Sequence, residues 1–215
     1  MEKGFSPNIK IGVLGGGQLG RMLQQKALDF GLDLAFIDPD GSAPCKEISS
    51  RFFKGDFKEF DTVYAFGKGR DIITIEIENV NVKALEKLQQ EGVKVFPQPE
   101  VIKTIQDKGL QKIFYKENNI PTADFFLIEN KEEIIQFKDD FPFMQKMRKG
   151  GYDGQGVTPI RTEQDMDQAF TVPSVLEKMV DFEKELSVIV ARNENGEIKS
   201  FPCVECEFNV SCKPK

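Results

Sequence analysis

A short stretch near the start of the chain, IGVLGGGQLGRM at residues 11–22, limits the fold more than any other. An apolar run enters a glycine turn and leaves it with helical periodicity. Leu19, Met22, Leu23, Ala27 and Phe30 recur along residues 18–30, and Gly31 supplies a stop. A buried strand that turns straight into a helix is the unit from which parallel α/β sheets are built. Gly15, Gly17 and Gly20 keep the G-x-G-x-x-G spacing of dinucleotide-binding turns, and the acidic Asp38 follows at the end of LDLAFID. Amides at a helix N-terminus attract anions, and glycines let a phosphate approach them. The same glycines also serve tight packing, so this turn alone leaves its ligand open. Gln18 and Arg21 stand where they could reach one.

The alternation continues. DIITIEI reads as a strand, NVKALEKLQQEG as a helix closed by Gly92, and VKVFP as a short strand before Pro97 and Pro99. Beyond about residue 100 the pattern changes. PEVIKTIQDKGLQKIFYKENN is helical with an interruption at Asp107, and IPTADFFLIEN turns into a strand. Helix KEEIIQFK, strand FPFMQKMRK, loop GGYDGQG, a further strand and helix EQDMDQAF follow. SVLEKMV and EKELSVIVARN then read as successive strands, and NENGE before IKSFPCVECEF has the Asn-Gly mark of a hairpin. The expected fold class is α/β, with a Rossmann-like parallel-sheet domain over 1–98 and an α+β domain over 99–215.

Composition narrows the functions. Net charge is −6, which disfavours a nucleic-acid backbone binder. No apolar run approaches the roughly 20 residues that span a bilayer, and MEKGFSPNIK has no apolar export signal. A cytoplasmic protein without membrane or nucleic-acid partners is expected. The chain has no histidine, which removes Ser-His-Asp and Cys-His mechanisms and histidine-ligated metals. Among Cys45, Cys203, Cys206 and Cys212, the pair CVEC has C-x-x-C spacing but no second pair to complete a zinc tetrad. Reduced, incidental thiols are the simpler reading.

The second glycine loop, KMRKGGYDGQG, sets Lys146, Arg148 and Lys149 beside Gly150, Gly151, Gly154 and Gly156. Amide-rich backbone next to cations suits the phosphates of a nucleoside triphosphate. It is not a Walker A loop, and a surface hairpin with solvated lysines is the plain alternative. ITIEIENV puts Glu76 and Glu78 at the carboxyl end of a parallel strand, where ligands collect in open α/β sheets. A strand end entering solvent would look the same. LEKMVDFEKE offers strand backbone and carboxylates for a nucleoside, or else a solvated turn.

Taken together, GGGQLGRM, TIEIENV, IQDKGLQK, NNIPT, KGGYDGQG, PSVLEKMVDFEKELSVIVARN and FPCVE resemble, in order, the 5-(carboxyamino)imidazole ribonucleotide synthetases. These are ATP-grasp ligases of purine biosynthesis, also described as the ATPase subunit of phosphoribosylaminoimidazole carboxylase. The likeness runs from about residue 9 to residue 209. It implies a pre-ATP-grasp domain followed by part of an ATP-grasp domain, using ATP, magnesium and bicarbonate to carboxylate 5-aminoimidazole ribonucleotide. Position by position, it implies that Lys108 and Lys146 contact phosphates. Gly150, Gly151, Tyr152, Asp153, Gly154, Gln155 and Gly156 would close over the nucleotide. Glu177, Lys178, Met179 and Val180 would hold adenine, and Glu185 the ribose. Gln18, Leu19, Glu76 and Tyr152 would contact the aminoimidazole ribonucleotide.

Two departures stand out. Gln155 occupies a position where the family usually has Lys or Arg. The family also continues well beyond residue 215, and there the resemblance puts the magnesium-binding acids and the remaining basic substrate contacts. FNVSCKPK drifts from the family pattern as well. A C-terminally truncated chain with little activity alone, and a homodimer in the full-length protein, are therefore expected. The alternatives are another ATP-grasp ligase, such as the formate-dependent glycinamide ribonucleotide transformylase, or an NAD-dependent oxidoreductase domain read from the first turn and Asp38.

Overall fold

The structure is a computed structural model that describes residues 8–151 and 155–206. Its first half alternates strands and helices: β1 (Ile11–Leu14), α1 (Gln18–Asp29), β2 (Ala35–Asp38), β3 (Phe52–Lys54), α2 (Phe60–Gly67), β4 (Ile72–Ile75), α3 (Val82–Gln90) and β5 (Lys94–Phe96). The strands form one parallel sheet in the order β3-β2-β1-β4-β5. β1 and β2 are apolar at nearly every position because both faces of a parallel sheet are covered. Leu14, Ile37, Ile73, Leu85 and Leu88 pack on one side, and Val13, Phe36, Ala27 and Cys45 on the other. β2 and β4 flank β1 on opposite sides, so the chain leaves their carboxyl ends in opposite directions and opens a crevice there. β3, α2 and a 3-10 turn at Pro44–Glu47 were not anticipated; FFK is too short, and its side chains too exposed, to show a period.

α4 (Pro99–Ile105) and α5 (Lys108–Glu117) join this unit to a second sheet. Asp107 interrupts the helical run because it caps α5, its carboxylate accepting from the amides of Gly109 and Leu110. The expected boundary near residue 98 falls at the start of α4, whose Ile102 still packs in the first core. The second sheet comprises β6 (Phe125–Ile128), β7 (Phe143–Met147), β8 (Val157–Ile160) and β9 (Ser174–Lys178), all antiparallel in the order β6-β9-β7-β8. One face carries Ile128, Phe143 and Leu176 into a core of their own.

Several expected elements take different forms. KEEIIQFK and EQDMDQAF are 3-10 stretches, Lys131–Asp140 and Glu163–Gln168, rather than α-helices. The first leaves helical geometry at Phe137, whose ring stacks on Phe126 with centroids 4.3 Å apart. The two long strands expected over 183–208 are broken into β10 (Leu186–Ser187), β11 (Val190–Arg192), β12 (Ile198–Ser200) and β13 (Val204–Glu205). The Asn-Gly turn does join β11 to β12, with Gly196 at φ +84°. Every residue from 179 to 205 is exposed, so no packed layer holds these ladders in longer register. Among the described residues no helix is long and apolar enough to cross a membrane.

Candidate functional site

At the crevice beyond β1, Gly15 takes φ +100° and donates its amide to the Ile37 carbonyl at 2.9 Å. The next amide, Gly16, donates to the Asp38 carboxylate at 2.8 Å, and the other Asp38 oxygen accepts from the Asp40 amide at 2.8 Å. Asp38 is therefore spent on shaping the turn. An NAD reading needs that carboxylate for a ribose, whereas both of its oxygens already accept backbone amides of the turn.

Glu76 follows directly on β4, its amide bonded to the Leu14 carbonyl at 2.7 Å. Its half-buried carboxylate lies over the glycine turn: a Cβ on Gly15 or Gly17 would come within 2.6 Å of a Glu76 oxygen. The glycines thus make room for an acid as well as for a turn. Gln18 and Leu19 are exposed on the first turn of α1, at the same rim. A carboxylate seated there repels a phosphate and accepts hydrogen bonds from hydroxyls or an amine. Cys45, buried below with its thiol against the Gly17 carbonyl, is pushed up to about 11 by burial, with Glu76 and Asp38 adding to the effect. It stays a neutral thiol and a poor nucleophile. Cys203 is a free thiol in the exposed segment, and Cys206, just past it, is free and half-buried.

A cleft of about 570 Å³ separates this rim from the second unit. Ile77, Glu78 and Asn79 line one wall; Lys108, Lys149, Gly150 and Gly151 line the other. Gln106 crosses its floor, its side-chain amide donating to the carbonyls of Glu78 and Val80 at 2.7 and 2.8 Å. Next to it, Asp107 takes a two-pronged ion pair from Arg148, Nε to Oδ1 at 2.8 Å and Nη2 to Oδ2 at 2.9 Å. Burial opposes the Asp107 charge, yet the Arg148 guanidinium and the amides of Leu110 and Gly109 hold its carboxyl below the ordinary 3.8. This pair fixes the end of β7, where the second glycine loop begins, to the start of α5.

Strand alternation sets the remaining chemistry. Lys146 pairs with Val175 and Met144 with Glu177, so Lys146 and Glu177 stand diagonally on one face of the sheet. Lys146 Nζ lies 2.8 Å from Glu177 Oε2. α5 packs across β9 on that face and brings Lys112 Nζ to within 2.9 Å of Glu177 Oε1. Burial raises the Glu177 carboxyl, but the hydrogen bonds from Lys146 and Lys112 outweigh it and leave it below 4.5. Lys108, Tyr115 and Thr122 complete a pocket of about 260 Å³ around this cluster. Lys108 Nζ also reaches towards the Gly151 carbonyl at 3.4 Å. The pocket is a strongly cationic recess opening beside the second glycine loop, which suits a polyanion.

The structure thus brings Lys108, Lys146 and Glu177 together and sets Gly150 and Gly151 on the adjoining cleft. Gly150 and Gly156 flank the loop at φ +81° and +75°, and the Met147 amide donates to the Gly156 carbonyl at its base. Gln155 is exposed; Tyr152, Asp153 and Gly154 lie outside the described residues. Lys178 turns to the opposite face, bonding Asp140 and lying 5.0 Å from the Phe143 ring centre. Met179 and Val180 continue β9 with exposed side chains, and Glu185 lies in the exposed segment with its carbonyl accepting from the Cys206 amide. The Lys178 side chain makes its contacts outside the lysine cluster. Lys112 and the Asp107–Arg148 pair were not expected from the sequence. The signal for Lys112 was its four-residue spacing from Lys108, which stacks both on one helix face. Among the described residues, no group of three acidic or cysteine side chains could hold a metal ion.

Residues 8–106 match the ribonucleotide synthetase pre-ATP-grasp domain model, and residues 113–209 match the ATP-grasp domain model. A crystal structure of N5-carboxyaminoimidazole ribonucleotide synthetase from Thermotoga maritima superposes with a TM-score of 0.83 at 38% identity, covering 92% of this chain and 53% of that one. The chain belongs to the N5-carboxyaminoimidazole ribonucleotide synthetase family. The family member from Aspergillus clavatus, in complex with ADP and 5-aminoimidazole ribonucleotide, superposes with a TM-score of 0.86 at 32% identity over 96% of this chain and 56% of its own. Phosphoribosylaminoimidazole carboxylase of Vigna aconitifolia is 36% identical over 203 residues, 92% of this chain and 36% of that protein. The chain spans less than two thirds of the length of these synthetase-family relatives.

Proposed function

We propose that this chain forms the nucleotide-binding recess, and part of the aminoimidazole ribonucleotide site, of an ATP-dependent ligase. The ligase carboxylates 5-aminoimidazole ribonucleotide with bicarbonate in purine biosynthesis. The observation that carries the reading is a pair of pockets that share Lys108: a cleft lined by Glu78, Lys149, Gly150 and Gly151, and the cationic recess of Lys112 and Lys146. In this reaction a bicarbonate oxygen attacks the γ-phosphorus and ADP leaves. The exocyclic amine then attacks the carbon of carboxyphosphate, phosphate leaves, and the amine loses its proton. Such chemistry needs charge neutralisation and exclusion of water more than a nucleophilic side chain, in keeping with a chain that has no histidine.

Lys146 and Lys108 would offset the triphosphate charge, and the glycine loop would lend amides. Backbone groups at Lys178–Val180 would meet adenine, with Glu185 meeting the ribose. Glu76, with Gln18 and Leu19 beside it, would accept from hydroxyls or the amine of the second substrate. Magnesium belongs to the proposed reaction, where it offsets phosphate charge, but the described residues contain no set of ligands fitted to it. A homodimer is part of the same proposal and is checked by light scattering of the full-length protein. Lys146→Ala should weaken ATP binding by about tenfold or more in calorimetry, since a charge-assisted contact is lost. Unchanged affinity removes Lys146 from the nucleotide site.

A further inference from the structure

The cationic recess holds one acid between two ammonium groups. Glu177 Oε1 is 2.9 Å from Lys112 and Oε2 is 2.8 Å from Lys146. The two lysines are not equivalent. Lys112 is the deeper, with a side chain 10% exposed against 32% for Lys146, and it also donates to the Thr122 hydroxyl at 2.5 Å. Its ammonium lies 5.7 Å from the Phe125 ring centre. Lys112 is thus built in on several sides, whereas the remaining freedom of Lys146 faces the pocket.

A phosphate entering that pocket must draw Lys146 away from Glu177. With one cation only, the departure would strand a carboxylate whose side chain is 15% exposed, and an unpaired buried charge is costly. We propose that Lys112 is a positioning residue that stays on Glu177 as its resident counter-ion and so frees Lys146 to engage the phosphates of a nucleotide. The inference rests on the nucleotide-site reading given above and adds a residue which that reading does not assign. It makes the second lysine a condition for the first to work. The depressed carboxyl of Glu177 accords with a charge that persists throughout.

The test uses the full 215-residue chain with Lys112→Met, Lys112→Arg, and the double variant Lys112→Met with Glu177→Gln. Each is titrated with ATP and with adenosine in calorimetry. Lys112→Met should lose about tenfold in ATP affinity while adenosine affinity changes less than about twofold, because only phosphates compete for Lys146. The double variant should recover most of the loss, since it no longer holds an acid that restrains Lys146; Lys112→Arg should stay close to the parent. Equal losses for ATP and adenosine, or no recovery in the double variant, overturn the proposal. If the unaltered chain binds neither ligand, the nucleotide reading fails. The counter-ion role is then decided by carbon-13 titration of the Glu177 carboxyl. A rise in its midpoint in Lys112→Met supports the role, and an unchanged midpoint overturns it.

Discussion

Asp107 performs two tasks with one nearly buried carboxylate, and its neighbours explain how. It caps α5 through the amides of Gly109 and Leu110, pairs with both prongs of Arg148, and is nearly buried, with a side chain 5% exposed. Asp107→Asn keeps a cap and breaks the charge pair, which should cost about 3 kcal/mol in urea unfolding; Asp107→Ala should cost about 1 kcal/mol more. The pH dependence has a definite sign. Asp107 and Glu177 both titrate below their ordinary values of 3.8 and 4.5 in the folded chain. Their stabilisation is complete above those values and is lost as pH falls through the lower folded-state ones. Melting temperature should therefore fall more steeply below about pH 3.8, the ordinary Asp value, in the parent than in Asp107→Asn, which keeps only the Glu177 contribution. Equal slopes would show that the pair contributes nothing to acid stability.

At the scale of elements, the sequence was readable where one period dominates. The apolar strand before GGG, the helix after it, and the helix broken at Asp107 all carry their pattern in adjacent residues. FFK at β3 could not be read, because three half-exposed residues have no period and pair only through Phe36–Asp38 of a distant strand. The 3-10 stretch at Lys131–Asp140 has helical composition, and the sequence does not show that Phe137 will stack on Phe126. The site divides in the same way. Lys146 and the glycine loop form a compact local signature, whereas Lys112 becomes part of the site only once α5 lies across β9. Packing between α2 and α3 supplies another test. A Cβ on Gly67 would overlap the Leu88 side chain. Gly67→Ala should therefore destabilise the parallel-sheet unit by about 1–3 kcal/mol, despite the better helix propensity of alanine. A variant as stable as the parent in thermal unfolding would show that the two helices can separate at no cost.

Across the whole molecule, order is distributed unevenly. Both sheets have fully buried residues, whereas residues 179–205 are exposed throughout, including Phe182, Leu186, Ile189, Val190, Ile198 and Phe201. Short ladders with no covering layer open at little free-energy cost. Amides of β10–β13 should therefore exchange with deuterium far faster than those of β6–β9, and comparable protection would contradict the exposed arrangement. So much exposed apolar surface should also make the chain associate as its concentration rises in light scattering. The junction between α4 and α5 has a mechanical meaning of its own. Gln106 grips the carbonyls of Glu78 and Val80, Asp107 grips Arg148, and Lys108 reaches Gly151. Three consecutive residues thus work like the pivot of a pair of scissors, one blade ending at the acidic rim and the other at the glycine loop. A tilt of the first turn of α5 would move both tips together, because each tip is bonded to one of these three residues.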